Sequence, residues 1–143
     1  VAAYNGHNIF TKNLLEGVYN FATGVHVFKA LLTNTAPTAA NAVKTDLTEI
    51  SAGNGYTAGG STLATSTAAV SNTTNKASVT SDVTITATGA VGPFRYVDMY
   101  DDTPTSPADP LVAWWDYGSS ISLANTETFT EDFDQTNGVV QVG

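Results

Sequence analysis

GPFRYVDMYDDTPTSPADPLVAWWDYG, residues 92–118, reads as two aromatic strands joined by an acidic, proline-bearing loop. It holds both tryptophans, the only arginine and the only methionine, so the bulkiest core material of the chain falls here. Residues 94–100 set Phe94, Tyr96 and Tyr100 on one side and Val97 and Met99 on the other, the two-residue period of a strand. Residues 111–117 are the expected antiparallel partner. Between them Pro104, Pro107 and Pro110 fix φ and cannot donate to a ladder, so loop 101–110 is expected to stand at the surface as a stiff projection.

The flanking segments extend the β pattern. Residues 79–88 alternate Val79, Ser81, Val83, Ile85 and Ala87 against Thr80, Asp82, Thr84, Thr86 and Thr88, a half-buried strand with a threonine face. Residues 121–123, 127–133 and 139–142 are three further extended pieces, with Asn125 and Asn137-Gly138 at turn positions. The Ser/Thr/Ala-rich run 61–81 suits two thin strands about a turn at 71–75. VHVFKALLT, residues 25–33, is apolar on both alternations, as in a central strand covered on both faces. A connection with Pro37 follows and ends in a brief extended piece at 47–50. SAGNGYTAGG, residues 51–60, surrounds Tyr56 with four glycines suited to the positive-φ positions of a turn. A phosphate cradle is a poor reading of that run, because no Lys-Ser/Thr sequel follows and no helix opens there.

One helix is expected, over residues 8–21. Phe10, Leu14, Leu15, Val18 and Phe21 make a single apolar stripe that Lys12, Asn13, Glu16 and Tyr19 avoid. Asn8 is placed to cap it, Gly24 to end it, and Gly17 to weaken it. The sum is a mainly β fold, an antiparallel β-sandwich or jelly-roll-like barrel with one short N-terminal α-helix. A single domain is expected over residues 1–143, with arm and helix in 1–24 and the sandwich in 25–143.

Charge is uneven. The net charge is −8, yet up to Lys76 four lysines outweigh Glu16, Asp46 and Glu49, while beyond it Arg95 stands alone against all the remaining carboxylates. Such a surface repels nucleic-acid backbones, so no nucleic acid is expected as a partner. Cysteine is absent, which excludes disulfides, thiolate metal sites and a thiol nucleophile. No apolar run approaches the roughly 18–20 residues of a membrane span, and VAAYNGHNIF lacks the basic-then-apolar order of a signal peptide, so no membrane association is expected.

Catalytic motifs are missing. His7 and His26 lie beside no nucleophile in sequence, and no GxSxG, HExxH or spaced histidine pair occurs. Asp98, Asp101, Asp102, Asp109 and Asp116 could converge for glycoside hydrolysis or calcium binding. Without an EF-hand or nonapeptide pattern, the expectation is no enzyme, no metal and no cofactor. Trp114 and Trp115 are adjacent, so in a strand they point to opposite faces, one towards the core and the other free for a protein or sugar contact.

Three blocks carry a resemblance: KALLTNTAPTAANAVKTDLTEISAGNGYTAGG (29–60), GPFRYVDMYDDTPTSPADPLVAWWDYGSSISL (92–123) and ETFTEDFD (127–134). Together they resemble a family of small structural proteins of tailed bacteriophages, although the loop begins Asp101-Asp102 where the family version reads Tyr-Asn-Asp. The resemblance implies a place in the virion, foremost as a capsid decoration or cement protein bound to the major capsid protein or another virion protein, and a homo-oligomer. A tail tube or adaptor subunit is one alternative; a glycan-binding adhesion module is another. On this reading the contact residues are Asp101, Asp102, Pro104, Pro107 and Asp109 of the loop, Trp114 of the strand, and Phe10 and Leu14 of the helix.

Overall fold

The computed structural model describes residues 2–64, 76–79, 82–135 and 138–141. In chain order the elements are β1 (Ala3–Gly6), α1 (Asn8–Leu15), β2 (Phe28–Thr33), β3 (Ser61–Leu63), β4 (Lys76–Ala77), β5 (Val83–Thr86), β6 (Val91–Asp101), β7 (Leu111–Leu123), β8 (Thr128–Glu131) and β9 (Val140–Gln141). The fold is mainly β, antiparallel throughout its ladders, with one short helix. β6 and β7 form the expected hairpin inside a five-stranded sheet of order β1-β7-β6-β2-β3. Two small sheets, β5-β8 and β4-β9, complete the set.

Alternation along β2 shows how the layers meet. Phe28, Ala30 and Leu32 enter the main core, which Val97 and Met99 of β6, Ala113 and Trp115 of β7, Ile85 of β5 and Phe129 of β8 share. The five-stranded sheet thus packs on the smaller ones in the manner of a sandwich. Leu31 of β2 faces the other way, with Tyr100 and Leu111, where Ile9 of α1 and Leu47 of the connection cover the sheet. That double cover explains why β2 carries apolar residues on both alternations, and its pairing to both β6 and β3 makes it an interior strand.

Several expectations are corrected. Phe94 joins Val97 and Met99 in the main core instead of siding with Tyr96 and Tyr100. The cause is a register shift between Phe94 and Tyr96: their β7 partners are Ile121 and Asp116, so β7 carries extra residues there and the faces exchange. β7 also runs without a break through residues 121–123, which are its end and not a separate strand.

The helix stops at Leu15. Gly17 adopts φ 74°, the Val18 amide reaches the Asn13 carbonyl and the Gly17 amide that of Leu14, a Schellman ending. Gly17 therefore closes the helix that it was expected only to weaken, Gly24 plays no part in the ending, and Asn8 is the first helical residue, preceded by His7 at the cap position. Burial follows this shorter helix. Asn13 and Tyr19 are buried while Leu15 is 83% exposed, the reverse of the expected stripe for those three. The Tyr19 hydroxyl donates to the Leu111 carbonyl at 2.6 Å, and Phe10, Tyr19 and Phe21 form an aromatic cluster that stacks on Phe28.

The glycine-rich run keeps its expected role. Gly53, Gly55, Gly59 and Gly60 all have positive φ, and a Cβ on Gly60 would lie 1.9 Å from the Ala30 carbonyl oxygen, so this turn sits directly on β2. Alternation in β5 also holds, with Val83 and Ile85 buried and Thr84 and Thr86 exposed. The expected turn at 71–75 and the residues Thr80, Ser81, Asn137 and Val142 lie outside the described residues.

Candidate functional site

The carboxylates around the hairpin do not converge. Each turns to its own basic side chain: Asp98 to His7 at 2.9 Å, Asp101 to His26 at 2.6 Å, Asp102 to Lys29 at 2.8 Å and Asp109 to Lys44 at 3.2 Å. Asp116 takes both Nε and Nη2 of Arg95, at 2.7 and 2.9 Å. Except for Arg95, these basic groups come from the first third of the chain. Antiparallel pairing of β2 with β6 and of β1 with β7 brings the two parts of the chain together, so basic groups of the first third meet acidic ones of the hairpin. Two carboxyls poised for hydrolysis do not meet here, and among the described residues no three His, Cys, Asp or Glu side chains gather at metal-binding spacing.

Burial separates these pairs. Asp98 is fully buried, and its carboxyl is pushed up to about 6 by burial, against the pull of the His7 hydrogen bond. Asp101 is raised for the same reason, with His26 and the Thr103 amide opposing. The Asn20 amide also approaches His26 Nδ1, at 3.3 Å, but the shorter contact to Asp101 makes that nitrogen a donor to the carboxylate. Asp116, in contrast, is lowered, first by the Arg95 hydrogen bond and then by the Gly118 amide.

The loop is a defined projection, but not an acidic one. Lys44 Nζ lies over the Tyr100 ring while holding Asp109, and Val43 bridges Pro110, so the 34–50 connection braces the loop from below. Thr103, Thr105, Ser106 and Ala108 are its exposed positions; Asp102, Pro104, Pro107 and Asp109 are half-buried and Asp101 is fully covered. Of the helical positions expected at a contact, Phe10 is buried in the aromatic cluster and Leu14 is half-buried against the core.

The tryptophans divide as the strand period requires. Trp115 is core, edge-on to Phe133 and Tyr4, and Trp114 on the opposite face is half-buried against the His7 ring. They do not form a joint sugar platform. A groove of about 750 Å³ does open beside β7 and β8, where Tyr4, Tyr117, Phe133 and Lys76 surround Glu131. The Tyr117 hydroxyl donates to Glu131, whose carboxyl is pushed up to about 7 by burial first and then by Asp132 and Asp82. Sequence reasoning gave no weight to Glu131, and only its place on the buried alternation of β8 would have marked it.

Among the described residues the exposed large apolar side chains are Tyr4, Leu15, Val25 and Val27. The last two were read as strand, yet β2 begins only at Phe28. Compared with protein-family models, curated proteins and solved structures, the chain matches none.

Proposed function

We propose that this chain is a non-enzymatic structural protein of a tailed-phage virion, a decoration or cement subunit that seats as a homo-oligomer on the major capsid protein shell. The observation that carries the reading is the one-to-one neutralisation of the carboxylates at Asp98, Asp101, Asp102, Asp109 and Asp116. Groups that could have done chemistry are committed to holding the fold. What they brace is a stiff loop whose exposed positions are small and uncharged, a surface suited to close contact with a protein neighbour. Many copies on a symmetric shell bind through effective concentration, so a small contact per copy suffices.

The test is incubation of the purified chain with expanded empty capsids of the phage that encodes it. Co-sedimentation in stoichiometric amounts, with a raised capsid melting temperature, is the expected result. Absence from the capsid pellet sinks the proposal, and assembly of the free chain into rings or tubes transfers it to the tail. The groove at Tyr4 and Tyr117 gives the adhesion reading its one specific foothold. Saturable binding to host-surface glycan that is lost in Tyr4→Ala would favour it.

A further inference from the structure

His7 joins β1 to α1 on the face of the five-stranded sheet away from the main core. Its Nδ1 lies 3.2 Å from the Thr38 carbonyl and its Nε2 2.9 Å from Asp98 Oδ2, while Trp114 lies against the ring with centroids 4.5 Å apart. A carbonyl only accepts, so Nδ1 carries a hydrogen. Nε2 and Oδ2 then share one proton, either as imidazolium against carboxylate or as neutral imidazole against carboxylic acid. Asp98 Oδ1 has no hydrogen-bond partner among the described residues, so the carboxyl has only His7 to answer it.

No other charge on the surrounding elements substitutes for that proton. The register partners of Asp98 are Leu31 on β2 and Trp114 on β7. On β2, Lys29 is on Asp102; on α1, Lys12 pairs with Glu16 in solvent; on β7, Asp116 is held by Arg95. In the 34–50 connection Lys44 is on Asp109, Asp46 accepts from the Ala42 and Val43 amides, and Glu49 is on Tyr56 and the Gly59 amide. Farther along β6, Asp101 is on His26, and the Tyr100 hydroxyl donates to the Gly59 carbonyl.

β1 itself is held lightly. Its residues are exposed apart from half-buried Asn5, and it meets only β7, from Ala3 opposite Asp116 to Gly6 opposite Ala113. We propose that His7 and Asp98 form a one-proton latch for this N-terminal strand: β1 is docked while the pair holds a proton and loosens when the pair loses it. Loosening bares the edge of β7 from Ala113 to Asp116, the kind of unpaired edge that accepts another strand.

The pH dependence follows from counting protons. Released into water, an aspartic carboxyl titrates near pH ~4 and an imidazole near ~6.5, so it is above ~6.5 that the released pair gives up its last proton. Above ~6.5 the released pair binds fewer protons than the docked one, and each further pH unit favours release by up to about tenfold.

Amide hydrogen exchange of the full chain, followed by NMR, reads this directly. The His7 amide, bonded to the Val112 carbonyl, is the probe. After correction for intrinsic exchange its protection is expected to fall about fivefold between pH ~6.5 and ~7.5 while the amides of Lys29 to Leu32 on β2 stay constant. In Asp98→Asn, which cannot share the proton, the His7 slope above pH ~6.5 is expected to vanish. His7 protection that tracks β2 at every pH overturns the latch, as does an unchanged slope in Asp98→Asn. If that variant does not fold, the wild-type His7 profile set against that of β2 remains decisive.

Discussion

The Tyr56 hydroxyl donates to Glu49 at 2.7 Å and at the same time accepts the Leu32 amide at 3.0 Å, so one phenol ties the glycine-rich turn to both the connection and β2. Tyr56 is buried, and burial drives its phenol well above the usual range. Tyr56→Phe strands a buried amide as well as removing a donor, and is expected to cost about 1–3 kcal/mol. Glu49→Gln keeps an acceptor for Tyr56 and for the Gly59 amide, so its loss should be the smaller one. Urea midpoints compare the two; an equal loss would show that the charge on Glu49, and not the hydrogen bond, holds the turn.

Gly60 and Gly17 share a left-handed backbone, with φ 78° and 74°, but differ in what surrounds them. Gly17→Ala meets no atom within 4 Å and carries only the conformational cost, about 1 kcal/mol. Gly60→Ala places a methyl 1.9 Å from the Ala30 carbonyl oxygen, so β2 must shift. That change is expected to cost more than ~3 kcal/mol or to prevent folding, read by thermal denaturation and soluble yield.

The hairpin was legible because the period of two runs through both strands and three prolines mark the loop between them. The side taken by Phe94 was not, since it depends on residues inserted in β7, and a strand read alone carries no sign of its partner's register. The helix was overextended for a related reason. Apolar spacing continues through Val18 and Phe21, but Gly17 turns the chain, and Tyr19 then finds Leu111, 92 positions away. The ion pairs escaped altogether: His7–Asp98 and His26–Asp101 are 91 and 75 positions apart. Composition shows only that basic and acidic residues lie in different parts of the chain; β pairing decides which of them meet.

Glu131 gives a stability trend opposite to the usual carboxylate one. Its folded pKa, about 7, lies above the ordinary 4.5, so its contribution is fully present below about pH 4.5 and is lost as pH rises through about 7. Glu131→Gln imitates the protonated form. Its melting temperature is expected to match wild type near pH ~5 and to exceed it by roughly 7–14 °C at pH ~8. A difference that is independent of pH would show that Glu131 is ionised throughout.

Trp115→Ala empties a space bounded by Phe133 and Tyr4 and is expected to cost about 3–5 kcal/mol. Trp114→Ala removes a half-buried ring, costs less, and exposes the His7 imidazole to solvent. Chemical denaturation ranks the two, and the reverse order would mean that the helix-covered face of the sheet, not the main core, limits stability.

The one-to-one pairing around the hairpin also fixes where the excess negative charge remains. Glu127 and Asp132 flank β8, with Asp82 at the Phe133 amide, while Arg95, Lys29 and Lys44 are committed within the five-stranded sheet and its loop. The β5-β8 end therefore keeps an acidic patch that the hairpin pairs leave untouched. A basic surface draws such a patch first, so copies nearing one arrive already turned towards it, before any side chain touches.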